Sequence, residues 1–136
     1  VQLKGEYPYF MKRYFEKNNI HFEVTEEDLK VLKEGHCDFY SFSYYMTNCI
    51  TTQKDATQVS GNIMGGAKNP YRKATEWNWQ IDPVGLRYTL NHVYDRYGVP
   101  IMITENGIGA RDEFKDGKIH DPYRISYIKD HVEQMR

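Results

Sequence analysis

Cysteine is scarce in this 136-residue chain, and long apolar runs are missing altogether. Cys37 and Cys49 have no neighbouring cysteine or paired histidine at the spacing a zinc site uses, and two cysteines make a poor disulfide framework. Both thiols are expected to be structural and reduced, which points to a cytoplasmic protein. No stretch approaches the roughly 20 apolar residues needed to span a bilayer, so no membrane partner is expected. Neither sign of charge dominates: 18 Lys+Arg stand against 19 Asp+Glu. That balance gives no field for nucleic acid or an anionic surface. No signal peptide opens the chain, which begins at Val1 rather than Met, so a processed or excised polypeptide is expected. No Asn-x-Ser/Thr acceptor occurs. His21, His36, His92, His120 and His131 show no paired spacing and are expected on the surface or on helices, without a metal.

Aromatics are plentiful at 15%, with 12 Tyr and 2 Trp, which suits a carbohydrate site but also ordinary core packing. Tyr7 to Asn18 reads as a helix with Pro8 near its start, Met11, Tyr14 and Phe15 on one face, and Asn18-Asn19 as its end. A second helix is expected to open at Thr25, an N-cap followed by Glu26, Glu27 and Asp28 at the positive end of the dipole. Leu29 and Leu32 would face inward, and Gly35 would supply a left-handed stop. Cys37 to Tyr45 is strand-like, with Phe39, Ser41, Ser43 and Tyr45 on one face and Tyr40, Phe42 and Tyr44 on the other. Small residues inside and aromatics outside suit a strand lining a narrow barrel beneath helices.

From Met46 to Ile81 periodicity is weak, and Gly61, Gly65, Gly66 and Asn69-Pro70 mark a long loop. Asp82-Pro83 starts a strong helix with the stripe Leu86, Leu90, Val93, Tyr94 and Tyr97, closed by Gly98. Pro100-Ile101-Met102-Ile103 has the continuous apolar character of a strand buried on both faces. A polar loop through Asp112-Glu113 and Asp116-Gly117 follows. Asp121-Pro122 then repeats the helix start, and Ile125, Ile128, Val132 and Met135 keep helical spacing. Strands alternating with helices imply an α/β fold with parallel βαβ units. Two strands are too few for a closed sheet, and the last helix stops without a following strand, as in a cut through a larger fold.

The strongest chemical signal is Ile103-Thr104-Glu105-Asn106-Gly107-Ile108. It places a carboxylate at the outer end of an apolar strand, where barrel enzymes keep their chemistry. Tyr45 occupies the corresponding end of the other strand. If the two strands are parallel neighbours, its phenol reaches Glu105, keeping it ionised and aimed as a nucleophile. Asn106 offers an amide to a substrate hydroxyl, or forms a turn with Gly107. In Glu76-Trp77-Asn78-Trp79 the indoles of Trp77 and Trp79 are candidates for stacking on a sugar or aglycone, with one expected to anchor the loop instead. Lys68, Arg72 and Lys73 form a small basic group read as a solvated loop face.

Thr104-Glu105-Asn106-Gly107 after an apolar strand resembles the nucleophile motif of glycoside hydrolase family 1, and the resemblance covers nearly the whole chain. Asp38 to Tyr45 is similar to that family's sixth barrel strand. Gly65-Gly66-Ala67-Lys68-Asn69-Pro70-Tyr71, Glu76 to Pro83 and Asp121-Pro122-Tyr123-Arg124-Ile125 resemble its bacterial 6-phospho-β-glucosidase branch. Ser43, where many β-glucosidases carry Asn, points the same way. The resemblance implies a partial (β/α)8 TIM barrel, about strands 6–7 with flanking helices, residues 1–136 being part of one glycosidase barrel incomplete at both ends. It implies that Glu105 is the nucleophile and Tyr45 its orienting phenol in a retaining hydrolase of 6-phospho-β-glucosides such as cellobiose 6'-phosphate, with no cofactor. The family's second acid lies in an Asn-Glu-Pro-like motif that does not occur here, and its phosphate-binding residues lie beyond Arg136, so the chain alone is expected to be inactive. A 6-phospho-β-galactosidase, an unphosphorylated β-glucosidase, a non-catalytic carbohydrate-binding domain and a half-barrel that assembles as a homo-oligomer are the alternatives.

Overall fold

Proline, glycine and asparagine set most of the element boundaries in the computed structural model, which describes residues 1–59 and 64–136. Gly61, expected in the long loop, lies outside the described residues. The chain forms two compact units, Val1–Tyr40 with Tyr94–Met102 and Ser41–Val93 with Ile103–Arg136.

In the first unit, α1 (Met11–Lys17) is shorter than the sequence predicts. Met11 N first closes a turn onto the Pro8 carbonyl at 2.9 Å, and the Phe10 side chain caps nothing. Asn19, at φ 53°, turns the chain left-handed just past the helix end, as expected. Phe15 then meets Phe22 edge-on at 4.8 Å and Tyr7 at 6.1 Å. α2 (Glu26–Glu34) opens with a reciprocal capping box. Thr25 Oγ1 accepts from Asp28 N at 3.2 Å, and the Asp28 carboxylate accepts from Thr25 N at 2.9 Å, which holds that carboxyl below its usual range.

Two expectations for this helix fail. Gly35 is not left-handed: its φ is −90°, its N–H closes the helix onto the Val31 carbonyl, and a Cβ would come within 3.0 Å of that oxygen. Leu29 is exposed rather than inward, because the covering segment touches the helix at Leu32 and Lys33. There Gly5, at φ +62°, approaches so closely that a Cβ would lie 2.5 Å from the Leu32 carbonyl.

β1 (Tyr40–Tyr44) pairs with β4 (Ile101–Asn106). Tyr40 N donates to the Pro100 carbonyl, Ser43 and Tyr45 reach Glu105, and Asn106 reaches Tyr44. The near-constant offset of these partners identifies parallel strands. Between them in the chain lie β2 (Gln58–Val59), β3 (Gly66–Ala67) and α3 (Pro83–Tyr97), so a helical crossover links the pair. The expected irregular loop therefore contains an antiparallel ladder, Gln58 opposite Ala67 and Val59 opposite Gly66, with further bridges Cys49–Ala67 and Ala74–Gln80. Two-residue strands are too short to print an alternating pattern.

Asp82 is the junction of the second unit. Its Oδ1 caps α3 by accepting from Gly85 N at 3.2 Å and also pairs with Arg72 Nε at 3.0 Å. Its Oδ2 accepts from Thr47 Oγ1 at 2.9 Å, and its carbonyl accepts from the Tyr44 hydroxyl at 2.7 Å. Beside it, Gln80 joins Asn69 N to the Thr47 carbonyl. Leu86 is 1% exposed, while Tyr94 of the predicted stripe faces solvent. Gly98, at φ +64°, ends α3 as expected. β4 is not covered on both faces within this chain: Ile101 and Ile103 are half-buried and Met102 is exposed.

The predicted polar loop after β4 contains a hairpin, β5 (Phe114–Lys115) and β6 (Lys118–Ile119). Asp116 and Gly117, at φ 53° and 75°, supply the two left-handed positions that a two-residue turn requires. α4 (Pro122–Gln134) starts where predicted, but the Asp121 side chain makes no cap hydrogen bond and instead lies 3.5 Å from Arg124. Its buried side chains are Tyr127 and His131, while Ile125, Ile128, Val132 and Met135 are exposed. His131 lies on a helix, one of the two expected placements, and there it is a core residue. Its ring packs on Tyr127 at 3.9 Å and Tyr44 at 5.8 Å. Among the described residues no helix is long and apolar enough to cross a membrane.

Candidate active site

Alternation along β1 puts Ser43 and Tyr45 on one face and Tyr44 on the other. Tyr44 is buried, and Ser43 and Tyr45 point to the end of the neighbouring strand. Tyr45 Oη donates to Glu105 Oε2 at 2.7 Å, and Ser43 Oγ donates to the same oxygen at 2.9 Å. Both bonds favour the charged carboxylate, so the Tyr45 bond first and the Ser43 bond second hold the Glu105 carboxyl below its ordinary range. The same bond raises the Tyr45 phenol, which therefore stays a donor. Among the described residues, no hydrogen bond falls on Glu105 Oε1.

The Glu76–Trp79 segment is a tight turn closed onto Thr75. Thr75 N donates to the Trp79 carbonyl at 3.0 Å, Thr75 Oγ1 accepts from the Trp77 and Trp79 amides at 3.3 Å each, and Asn78 takes φ 63°. Trp79 is half-buried and meets Tyr45 edge-on at 5.6 Å, while Trp77 is exposed. Both indoles converge on Gly109, where a Cβ would lie 2.8 Å from Trp79 and 2.9 Å from Trp77. Glu76 is tied to the segment after β4, its Oε1 accepting from Arg111 N. Its own backbone N–H and that of Arg111 hold its carboxyl low.

Asn106 does not turn toward Glu105. Its Nδ2 donates to the Tyr44 carbonyl at 2.8 Å and to Tyr127 Oη at 3.2 Å. The basic group is split, since Arg72 pairs with Asp82 while Lys68 and Lys73 are exposed. Ser43 was expected on the same strand face as Tyr45 but was given no role at the site, although its position two residues before Tyr45 was signal enough for a second donor. Tyr127 was missed. Its spacing of four from His131 is the one trace it left.

The glycosyl hydrolase family 1 profile matches residues 1–136. The aryl-phospho-beta-D-glucosidase BglH of Bacillus subtilis (strain 168) is 51% identical over 138 residues, covering 100% of this chain and 29% of the relative. The phospho-cellobiase of Klebsiella oxytoca is 49% identical over 138 residues, covering 100% of this chain and 30% of its own length. A β-glucosidase from Exiguobacterium marinum, solved by crystallography, superposes with a TM-score of 0.74 at 26% identity, over 98% of this chain and 30% of that one. The chain thus spans about 30% of the length of these relatives. Matched from its first residue to its last, it belongs to glycosyl hydrolase family 1 and contributes a pair of neighbouring strands to an α/β barrel that these residues do not close.

Proposed function

We propose that the full-length protein is a retaining glycoside hydrolase of 6-phospho-β-D-glucosides, cellobiose 6'-phosphate among them, acting through a covalent glycosyl-enzyme on Glu105. The observation that carries this is the asymmetric dressing of one carboxylate. Tyr45 and Ser43 both donate to Oε2, at 2.7 and 2.9 Å, which leaves Oε1 as the attacking atom. Attack forms the bond from Oε1 to the anomeric carbon as the glycosidic C–O bond breaks, and the departing oxygen takes a proton from a second carboxyl about 5–5.5 Å away. Water then cleaves the ester, and that second carboxyl, now a base, takes its proton. The partner acid belongs to a part of the barrel outside residues 1–136, which are one portion of a single barrel incomplete at both ends.

The phosphorylated glucoside is favoured by relatives named for phospho-glucosides at 49% and 51% identity. Two free thiols and a phosphorylated substrate suit the cytoplasm. Trp79, beside Tyr45, is the indole that would meet the sugar or aglycone, and exposed Trp77 would lie further out.

The test is Glu105→Gln in the full-length protein, assayed on an aryl 6-phospho-β-glucoside with the galacto and unphosphorylated analogues in parallel. Turnover falls by several orders of magnitude while substrate still binds; a loss under about tenfold removes Glu105 from the nucleophile role. In the same assay the 136-residue chain by itself is expected to give no turnover, since it lacks the second carboxyl.

A further inference from the structure

The hydroxyl of Tyr127 plays no part in the reaction just described, yet it makes two hydrogen bonds to residues that adjoin the Tyr45–Glu105 contact without touching Glu105 itself. Tyr127 is 2% exposed and sits on α4, far along the chain from both strands. Its Oη donates to the Tyr45 carbonyl at 2.6 Å and accepts from Asn106 Nδ2 at 3.2 Å. Tyr45 supplies the phenol that binds Glu105, and Asn106 is the residue after Glu105. One hydroxyl therefore holds β1 and β4 at the two points that flank the Tyr45–Glu105 hydrogen bond. Asn106 doubles the tie by donating to the Tyr44 carbonyl at 2.8 Å.

We propose that Tyr127 is a positioning residue that sets the distance and aim of the Tyr45 phenol toward Glu105 by clamping the outer ends of β1 and β4 through its hydroxyl. The clamp is itself rigidly mounted. The His131 ring lies 3.9 Å from the Tyr127 ring, and His131 Nδ1 donates to the Tyr127 carbonyl at 2.7 Å. A carbonyl only accepts, so Nδ1 carries the proton. Burial pushes the Tyr127 phenol up to about 12, so the hydroxyl keeps its proton over any working pH. Tyr45 by contrast is only partly covered, and its ring has Trp79 as an edge-on neighbour. The bond from Tyr127 ties the Tyr45 main chain to a buried side chain.

The kinetic half of this inference rests on the glycosidase reading; the spectroscopic half does not. The experiment is Tyr127→Phe in the full-length protein, which keeps the ring and removes both hydrogen bonds. The Glu105 carboxyl is followed by carbon-detected NMR with Glu105→Gln as the assignment control. A loosened Tyr45 bond moves the Glu105 titration to higher pH, and an unmoved titration in the folded variant overturns the clamp whatever the enzyme acts on. In kinetics with an aryl 6-phospho-β-glucoside, kcat falls about 10- to 100-fold, KM changes less, and the acid limb of the pH profile moves up. A variant that melts earlier but keeps kcat and the acid limb shows a merely structural tyrosine and overturns the proposal. Absence of any wild-type turnover defeats the glycosidase reading, and the titration then decides the clamp alone. If Tyr127→Phe does not fold, Asn106→Ala cuts the same tie from the strand side and is read by the same titration.

Discussion

Gly109→Ala adds one carbon where two indoles already meet, and its cost follows from three distances. An ideal Cβ at Gly109 lies 2.8 and 3.0 Å from atoms of Trp79 and 2.9 Å from Trp77. Carbon atoms pack comfortably at about 3.5–4.0 Å, so the indoles must retreat by about 0.7 Å or more. Trp77 is exposed and has room to swing outward, so the strain falls on half-buried Trp79; the φ of Gly109 lies outside the left-handed region, so the effect is steric rather than a backbone penalty. Overfilling a packed site of this kind costs about 1–3 kcal/mol. Trp79 is also the edge-on neighbour of Tyr45, and Tyr45 holds Glu105. A misplacement near 1 Å can cost about 100-fold in rate, so kcat/KM of the full-length protein should fall about 10- to 100-fold. The assay pairs turnover of an aryl 6-phospho-β-glucoside with a thermal melt and tryptophan emission. Unchanged melting, with kcat/KM held within about twofold, would refute the idea that this contact governs the site.

Tyr44→Phe removes the buried bond to the Asp82 carbonyl and should lower the unfolding free energy by about 1–2 kcal/mol, measured by denaturant titration; no loss would mean the carbonyl finds another donor. His131 is 1% exposed, and burial lowers its pKa against smaller opposing effects from the Tyr127 carbonyl, Asp130 and Asp82. Its unfolded form takes up a proton more readily, so stability is full above about pH 6.5 and declines as pH falls through that value toward the folded pKa. His131→Gln should flatten the fall in Tm between about pH 7 and pH 5, and an equally steep fall would assign the pH dependence to other groups.

Local chemistry was legible at several points where one residue type decides the backbone, though not at Gly35 or in the cap expected of Asp121. Thr25 with Asp28, Asp82-Pro83 and Gly98 ended or began helices where the sequence placed them. The two strands and the reach of Tyr45 to Glu105 followed from alternation and from the parallel neighbourhood expected of a βαβ unit. What failed depends on partners distant in the chain. The aliphatic stripe of α4 is helical in spacing but solvent-facing, because within this chain the helix packs through Tyr127 and His131 instead. Asn106 was expected to turn with Gly107 or serve a substrate, and its amide is taken by Tyr44 and Tyr127, which no local pattern reveals. The short ladders of β2–β3 and β5–β6 carry too few residues for periodicity, although the Asp116-Gly117 pair was a usable hairpin signal.

The junction at Asp82 has a consequence for how this region comes apart. One carboxylate caps a helix, grips Arg72 and fastens Thr47, while its carbonyl receives Tyr44. Because these bonds meet at one residue, and Gln80 two positions earlier holds Asn69 N, the start of α3 and the segment around Asn69 should open in one step. In native-state hydrogen exchange the amides of Gly85 and Asn69 would then share a single opening free energy, and Asp82→Ala would quicken both together.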